Sequence, residues 1–201
     1  MGAVEKRARQ KEEFRREILE SARELFISDG YENFSLRKLA KKIEYSPTTL
    51  YLYFKNKDDL LRAISEEFFA QFLEELKPIR SVSADPMETL RRACLHLVEF
   101  GLKNPKQYEL IFFKGPVYGT REEFLKNDSM AKNTYLVFKE MVKECIKVGR
   151  LSQIDVDVIV SSMATVSHGI FAAALYTDLM DGKTDIIVRT VVDALLKGYQ
   201  K

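Results

Sequence analysis

The sequence predicts an all-α protein. Apolar residues recur with the 3.6-residue period of amphipathic helices in nearly every segment. Helix start signals, a capping side chain followed by proline or by an acid three residues on, recur along the chain. No segment shows credible strand alternation or an internal repeat.

The elements follow in order. Residues 1–10 read as a polar tail, expected to fray. Phe14, Ile18, Leu19, Ala22, Leu25 and Phe26 form one stripe of a helix over Phe14 to Ser28, with Gly30 placed to end it in a left-handed cap. Ser35 can cap a second helix whose inner face is Leu36, Leu39, Ala40 and Ile43. The gap at Glu44, Tyr45 and Ser46 leaves room only for a turn. Pro47 suits the first position of a third helix, with Leu50 and Phe54 facing inward. Asn56 caps a longer helix from about Lys57 to Leu76, ended by Pro78. Ser81 to Asp85 is a small polar linker. Asp85, Pro86 and Glu88 start a helix to about Lys103, and Asn104–Pro105 a short one through Phe113. Gly115, Pro116 and Gly119 mark a loop. Thr120 and Glu123 make a capping box for a helix to Val148, broken near Asn127 and closed by Gly149. Asp155 caps a helix to about Leu179, Asp181–Gly182 turns, and the last helix covers Asp185 to Tyr199.

Charge is locally concentrated although the net charge is only +2. Between Ser35 and Lys57, Arg37, Lys38, Lys41, Lys42, Lys55 and Lys57 face a lone acid, Glu44; Lys6, Arg7, Arg9, Lys11, Arg15 and Arg16 open the chain. Such patches attract phosphate even when the average is near neutral. Two short helices with a tight turn between them, the second presenting Pro47, Thr48, Tyr51 and Leu52 outward, suit a helix-turn-helix docked in the major groove of DNA. Threonine can bond a base edge or pack on a thymine methyl. Tyrosine hydroxyls and lysines reach phosphates.

Cys94 and Cys145 have neither metal-site spacing nor a disulfide framework around them, which points to buried reduced thiols and a cytoplasmic protein. The polar N-terminus lacks the apolar region of a signal peptide. The longest apolar candidate, Val156 to Leu179, is interrupted by Asp157, Ser161, Ser162, Ser167 and His168, so no membrane span is expected.

Residues 14–61, FRREILESARELFISDGYENFSLRKLAKKIEYSPTTLYLYFKNKDDLL, resemble the DNA-binding domain of the TetR family of transcriptional regulators. The resemblance rests on ELF…DGY…FS…RKLAKK and on TLYxYFKNKDDLL. It implies a three-helix DNA-binding domain (residues 1–57), a connecting helix and linker (58–80), and a helical ligand-binding and dimerisation domain (81–201). It also implies that Arg37 touches base or phosphate, that Pro47, Thr48 and Leu52 face base edges, and that Thr49, Tyr51, Tyr53 and Lys57 hold the backbone. Ser35 falls where the family has a capping Thr or Ser near a phosphate. Glu44 departs from the family's usual glycine in the turn, and a left-handed non-glycine there costs about 1–2 kcal/mol.

The C-terminal part is rich in aromatics, among which Phe72, Phe100, Tyr108, Phe112, Phe113 and Phe171, with His96 and His168, are the expected lining of a pocket for a small, largely apolar ligand. Plain core packing would use the same residues. Asn104-Pro105…Tyr108…Phe112 and Ser167-His168-Gly169 are similar to a TetR subgroup named for a Trp-His-Gly motif, with Ser167 replacing the tryptophan. The last two helices, about 156–199, are apolar on more than one face, which suggests burial in a homodimer; two-fold symmetry would match a palindromic operator. The expected activity is that of a ligand-responsive repressor, or an activator of the same fold, without cofactor or catalytic residues. A helical-bundle enzyme needs a Glu-x-x-His arrangement that neither histidine has. A membrane-surface protein needs bulky apolars that residues 1–16 lack.

Overall fold

A computed structural model describes residues 2–81, 83–114 and 120–200. Among the described residues the elements are α-helices α1 (Ala3–Asn33), α2 (Leu36–Lys42), α3 (Pro47–Tyr51), α4 (Lys57–Ser81), α5 (Pro86–Lys103) and α6 (Pro105–Glu109). A π-helical turn (Leu110–Lys114) follows, then α7 (Arg121–Lys126), α8 (Met130–Lys147), α9 (Val156–Tyr176) and α10 (Thr184–Gly198). The expected loop at Gly115, Pro116 and Gly119 lies outside the described residues.

The chain divides into two compact units: residues up to Glu67 with the segment from Lys106, and Phe68–Pro105 with the chain from Thr120 on. This division differs from the expected one, which placed the boundary in the linker after α4 and gave everything beyond Ser81 to one domain. The reason is tertiary. Leu110 joins the core of the first unit, beside Ile18, Leu39, Leu50, Leu60 and Ile64.

Capping sets most helix starts. Ser35 accepts from the Lys38 amide, Ser46 from Thr49, Thr120 from Glu123 and Asp155 from Asp157. Asn56 Oδ1 accepts from the Asp59 amide at 2.8 Å. Asp85 caps α5 through Met87, but Glu88 does not complete a box: its carboxylate takes Arg92 at 2.7 Å, and the Asp85 amide turns to Ser83.

Three boundaries differ from expectation. The N-terminal segment is helical from Ala3, where a polar tail was expected. Its residues are strong helix formers, Arg9 pairs with Glu13 at 2.8 Å, and a helix continuous with a buried one needs no new nucleus. Gly30 takes φ 78° and ψ 164°, so the regular helix breaks there as expected, though not in the left-handed helical region, and a further helical turn runs on to Asn33. α4 continues through Pro78 to Ser81. Proline removes one helical bond near the helix end, and Ser81 Oγ donates to the Pro78 carbonyl at 2.9 Å.

In the second unit α5, α8, α9 and α10 pack on one another. α9 spans 21 residues with a window of mean hydropathy 1.7, long and apolar enough to cross a membrane by length and composition alone, a test that a core helix also passes. Its Ile159, Met163, Ile170 and Phe171 are buried against its neighbours, which is how a core helix meets the same criterion. An ionic network crosses three helices. Asp157 at the start of α9 takes Lys139 Nζ at 2.5 Å, Arg121 at 3.2 Å and the Tyr135 hydroxyl at 2.6 Å. The Lys139 and Tyr135 bonds hold its carboxyl down at about 2. A depressed folded-state pKa stabilises the fold above the unfolded value near 4 and loses that contribution as pH falls towards 2. We expect Asp157→Asn to flatten the acid-induced fall of the thermal midpoint between about pH 4 and 2. A wild-type slope there would refute it. The site is partly open to solvent, so the effect is modest.

Candidate nucleic-acid interface

The first unit has one apolar core to which α1, α2, α3 and the start of α4 all contribute, with the outer sides of α2 and α3 left exposed. Leu36, Leu39, Ala40 and Ile43 are buried, as are Leu50 and Phe54. Phe26 stacks on Phe34 with centroids 3.9 Å apart. The α2–α3 turn is a Schellman closure: the Tyr45 amide reaches the Ala40 carbonyl at 3.0 Å, and Glu44 sits at φ 59°. α8 ends with the same two-bond pattern, there with Gly149 at φ 75°. Glu44 therefore occupies the left-handed position that the sequence marked as anomalous. Glu44→Gly removes strain of about 1–2 kcal/mol but adds freedom to the unfolded chain, worth about 0.5–1 kcal/mol. We expect a small rise in the urea midpoint; a fall would show the turn is unstrained.

The capped, proline-started α3 leaves Pro47 and Thr48 exposed, with Tyr51 53% and Leu52 78% accessible. These four form a continuous open surface with no role in the core. Arg37 is also exposed. The other expected contact residues sit differently. Ser35 is half-buried as a cap. The Thr49 hydroxyl lies 2.8 Å from that of Ser46. Tyr53 is half-buried with its ring edge-on to Phe14 at 5.2 Å. Lys57 turns inward, 4.0 Å from the centre of the Tyr31 ring and 3.3 Å from the Tyr31 carbonyl, while the Tyr31 hydroxyl donates to Asp58.

Ion pairing sorts the cations. Lys38 is held by Asp29 at 3.1 Å and Lys42 by Glu24 at 2.8 Å. Among the described residues Arg37, Lys41 and Lys55 form no ion pair, which leaves them available to an external anion. Lys41 and Lys55 thus belong with this surface although the motif does not single them out. Tyr45 joins it too, 46% exposed with its ring 4.3 Å from Phe14.

The expected ligand-lining residues fall into both units. In the second, Phe72 and Phe100 are almost fully buried and touch at 5.5 Å, and His96 stacks on Phe72 at 5.3 Å. Burial lowers the His96 imidazole against the opposing pull of Glu75 and Glu99, and its Nε2 has no hydrogen-bond partner. Phe171 is fully buried, whereas His168 is half-buried and is lowered by burial. Ser167 Oγ donates to the Met163 carbonyl at 2.8 Å, and a side chain at Gly169 would meet open space. In the first unit the Tyr108 ring packs on Phe112 at 4.4 Å and Phe113 at 5.9 Å; burial raises its hydroxyl strongly. A cavity of about 310 Å³ in the second unit is lined by Lys77, Arg80, Thr89, Met141 and Glu144 among others, and by none of these aromatics. Burial pushes the Cys94 thiol up to about 12 and Cys145 to about 11, so both stay protonated. No group of three or more metal-ligating side chains occurs among the described residues.

Residues 18–64 match the profile of bacterial regulatory proteins of the tetR family. The fatty acid metabolism regulator protein of Bacillus subtilis (strain 168) is 36% identical over 61 residues, 30% of this chain and 31% of that protein. The HTH-type transcriptional regulator AcrR of Shigella flexneri is 26% identical over 192 residues, 94% of this chain and 79% of that protein. The chain spans 31%, 50% and 53% of the length of three curated relatives it matches through this region. In fold it is similar to FadR from Bacillus subtilis in complex with stearoyl-CoA, with a TM-score of 0.76 at 20% identity over 91% of this chain and 98% of that one. It is similar also to the TetR family regulator PfmR from Thermus thermophilus, with a TM-score of 0.68 at 22% identity over 92% and 96%. These relatives are named as regulators, not enzymes. Residues 18–64, which hold the buried helix-turn-helix frame, thus form a DNA-binding domain of the tetR family of bacterial regulatory proteins.

Proposed function

We propose that this chain is a homodimeric transcriptional repressor that binds a palindromic DNA operator through α2 and α3 and leaves it when a small, largely apolar ligand binds the helical part. The exposed face of α3 carries the reading. Pro47, Thr48, Tyr51 and Leu52 stand clear of the core on a rigid, capped helix beside the unpaired cations Arg37, Lys41 and Lys55. Cations position such a domain on phosphates; Thr48 and Leu52 are placed to choose bases. In this reading Ser35, Thr49, Tyr53 and Lys57 support the surface from within, as well as meeting phosphate where their polar ends reach it.

Dimerisation is supported by apolar side chains exposed on the last two helices: Val158 on α9 and Ile186 on α10, with Ile187, Val191 and Leu195 only half-buried. Two recognition helices about 34–36 Å apart would enter successive major grooves. A ligand preferring another spacing would shift the population off DNA. α4, which runs from Lys57 to Ser81, is the proposed lever, aided by the π-helical turn whose Leu110 joins the DNA-binding core. The stearoyl-CoA bound by the FadR structure makes a long acyl chain the first ligand to try.

The test is fluorescence anisotropy on a duplex selected by the protein from a random pool, titrated with stearoyl-CoA. Release of the duplex is expected. A ligand that raises the thermal midpoint while operator affinity stays constant would refute the release mechanism and leave DNA binding standing.

A further inference from the structure

The first three turns of α1 project beyond the core. Residues 4–13 are exposed throughout, and among the described residues the first buried side chain is Ile18. A surface awaiting a protein or lipid would offer bulky apolars; among residues 4–13 the largest is Val4. The segment instead carries charge in a definite arrangement. Arg7, Lys11 and Arg15 follow one another at i, i+4 and i+8, so they form one stripe. That stripe is in helical register with Phe14, Ile18 and Ala22, the residues that face the core. Glu5, Glu12 and Glu13 fall on the other side with Arg9 and Arg16, and Glu13 neutralises Arg9 at 2.8 Å.

The stripe begins at the recognition helix. Phe14 packs on Tyr45, just before α3, and on Tyr53, just after it, with ring centroids 4.3 and 5.2 Å away. The Arg15 guanidinium lies over the Phe54 ring at 5.3 Å. From there Lys11 and Arg7 continue outward along the side of α1 that packs on Tyr45 and Tyr53, the residues flanking α3. Arg15 to Arg7 covers about 12 Å of helix at 1.5 Å per residue, enough for the cations to meet separate phosphates.

We propose that the N-terminal projection of α1 is a second DNA-contacting surface, in which Arg7 and Lys11 hold phosphates flanking the base pairs under α3 while Arg15 anchors the stripe on Phe54. The proposal rests on the DNA-binding reading above and extends its footprint. Phosphate contacts of this kind strengthen binding without choosing sequence, and each adds about one to the slope of log affinity against log salt.

The experiment compares R7Q/K11Q with R9Q/R16Q, which removes the same charge from the opposite side of the same helix. Both are exposed pairs, and circular dichroism checks that helicity is kept. Affinity is measured between low and moderate salt on a duplex selected by the wild-type protein, and on the same duplex shortened at its flanks. R7Q/K11Q is expected to lower the salt slope by about two per protomer, to weaken selected and scrambled duplexes equally, and to be insensitive to flank removal. R9Q/R16Q is expected to stay near wild type. Equal effects of the two pairs would show that net charge alone acts and would overturn the proposal. So would a wild-type slope in R7Q/K11Q. Failure of the wild-type protein to retain any duplex selectively would instead overturn the DNA-binding reading, and this surface with it.

Discussion

Phe26→Ala is expected to lower the stability of the DNA-binding unit by about 3–5 kcal/mol. Phe26 is 2% exposed and its ring lies flat on Phe34 at 3.9 Å, with Tyr31 stacked beyond at 6.1 Å. Truncation removes that area and leaves a cavity between α1 and the entry to α2, where a kinked helix end has little freedom to collapse. Domain stabilities of about 5–15 kcal/mol make this a large fraction of the whole. Urea unfolding followed by circular dichroism should show a clear shift of the midpoint, and hydrogen exchange should place the loss in α1–α3. An unchanged midpoint would mean that the Phe26–Phe34 stack is not the centre of this core.

Thr48→Ala with Leu52→Ala is expected to do the reverse: leave the urea midpoint where it was and weaken selective DNA binding strongly. Leu52 is 78% exposed and Thr48 is open, so neither contributes to the core. A lost base contact costs about 1–3 kcal/mol, or roughly 5- to 150-fold per contact, and a dimer would lose it twice. Binding to scrambled DNA should barely move, because the unpaired cations remain. If the double variant bound its selected duplex as wild type does, sequence choice would lie elsewhere, and Tyr51 and Arg37 would be the next residues to replace.

Much of this was legible in the residues because it is local. Ser35, Ser46, Asn56, Asp85, Thr120 and Asp155 cap helices where their spacing to the following amides said they should. The inward pair Leu50 and Phe54 and the strained Glu44 were equally plain, since a tight turn leaves few geometries. What was not legible depends on residues far apart in the chain. Lys57 turns to Tyr31 rather than outward, a choice made by a ring 26 residues earlier. Leu110 leaves the segment it adjoins in sequence for the core around Ile18 and Leu39. The helical N-terminus misled for another reason: polar residues read as a tail, but a polar helix persists when a buried one nucleates it. The aromatic segments of the C-terminal part have no local signature that separates a lined pocket from a packed core. Phe72, Phe100 and Phe171 are all nearly inaccessible.

The central claim is that α3 reads DNA sequence from a domain positioned by phosphate contacts. Selection from a randomised duplex pool, followed by affinity measurement across salt, tests it most directly. The expected result is enrichment of a two-fold-symmetric sequence, tighter binding to it than to a scrambled duplex, and an affinity that falls linearly with salt on logarithmic axes. Recovery of unenriched sequence, or equal affinity for selected and scrambled duplexes, would contradict it.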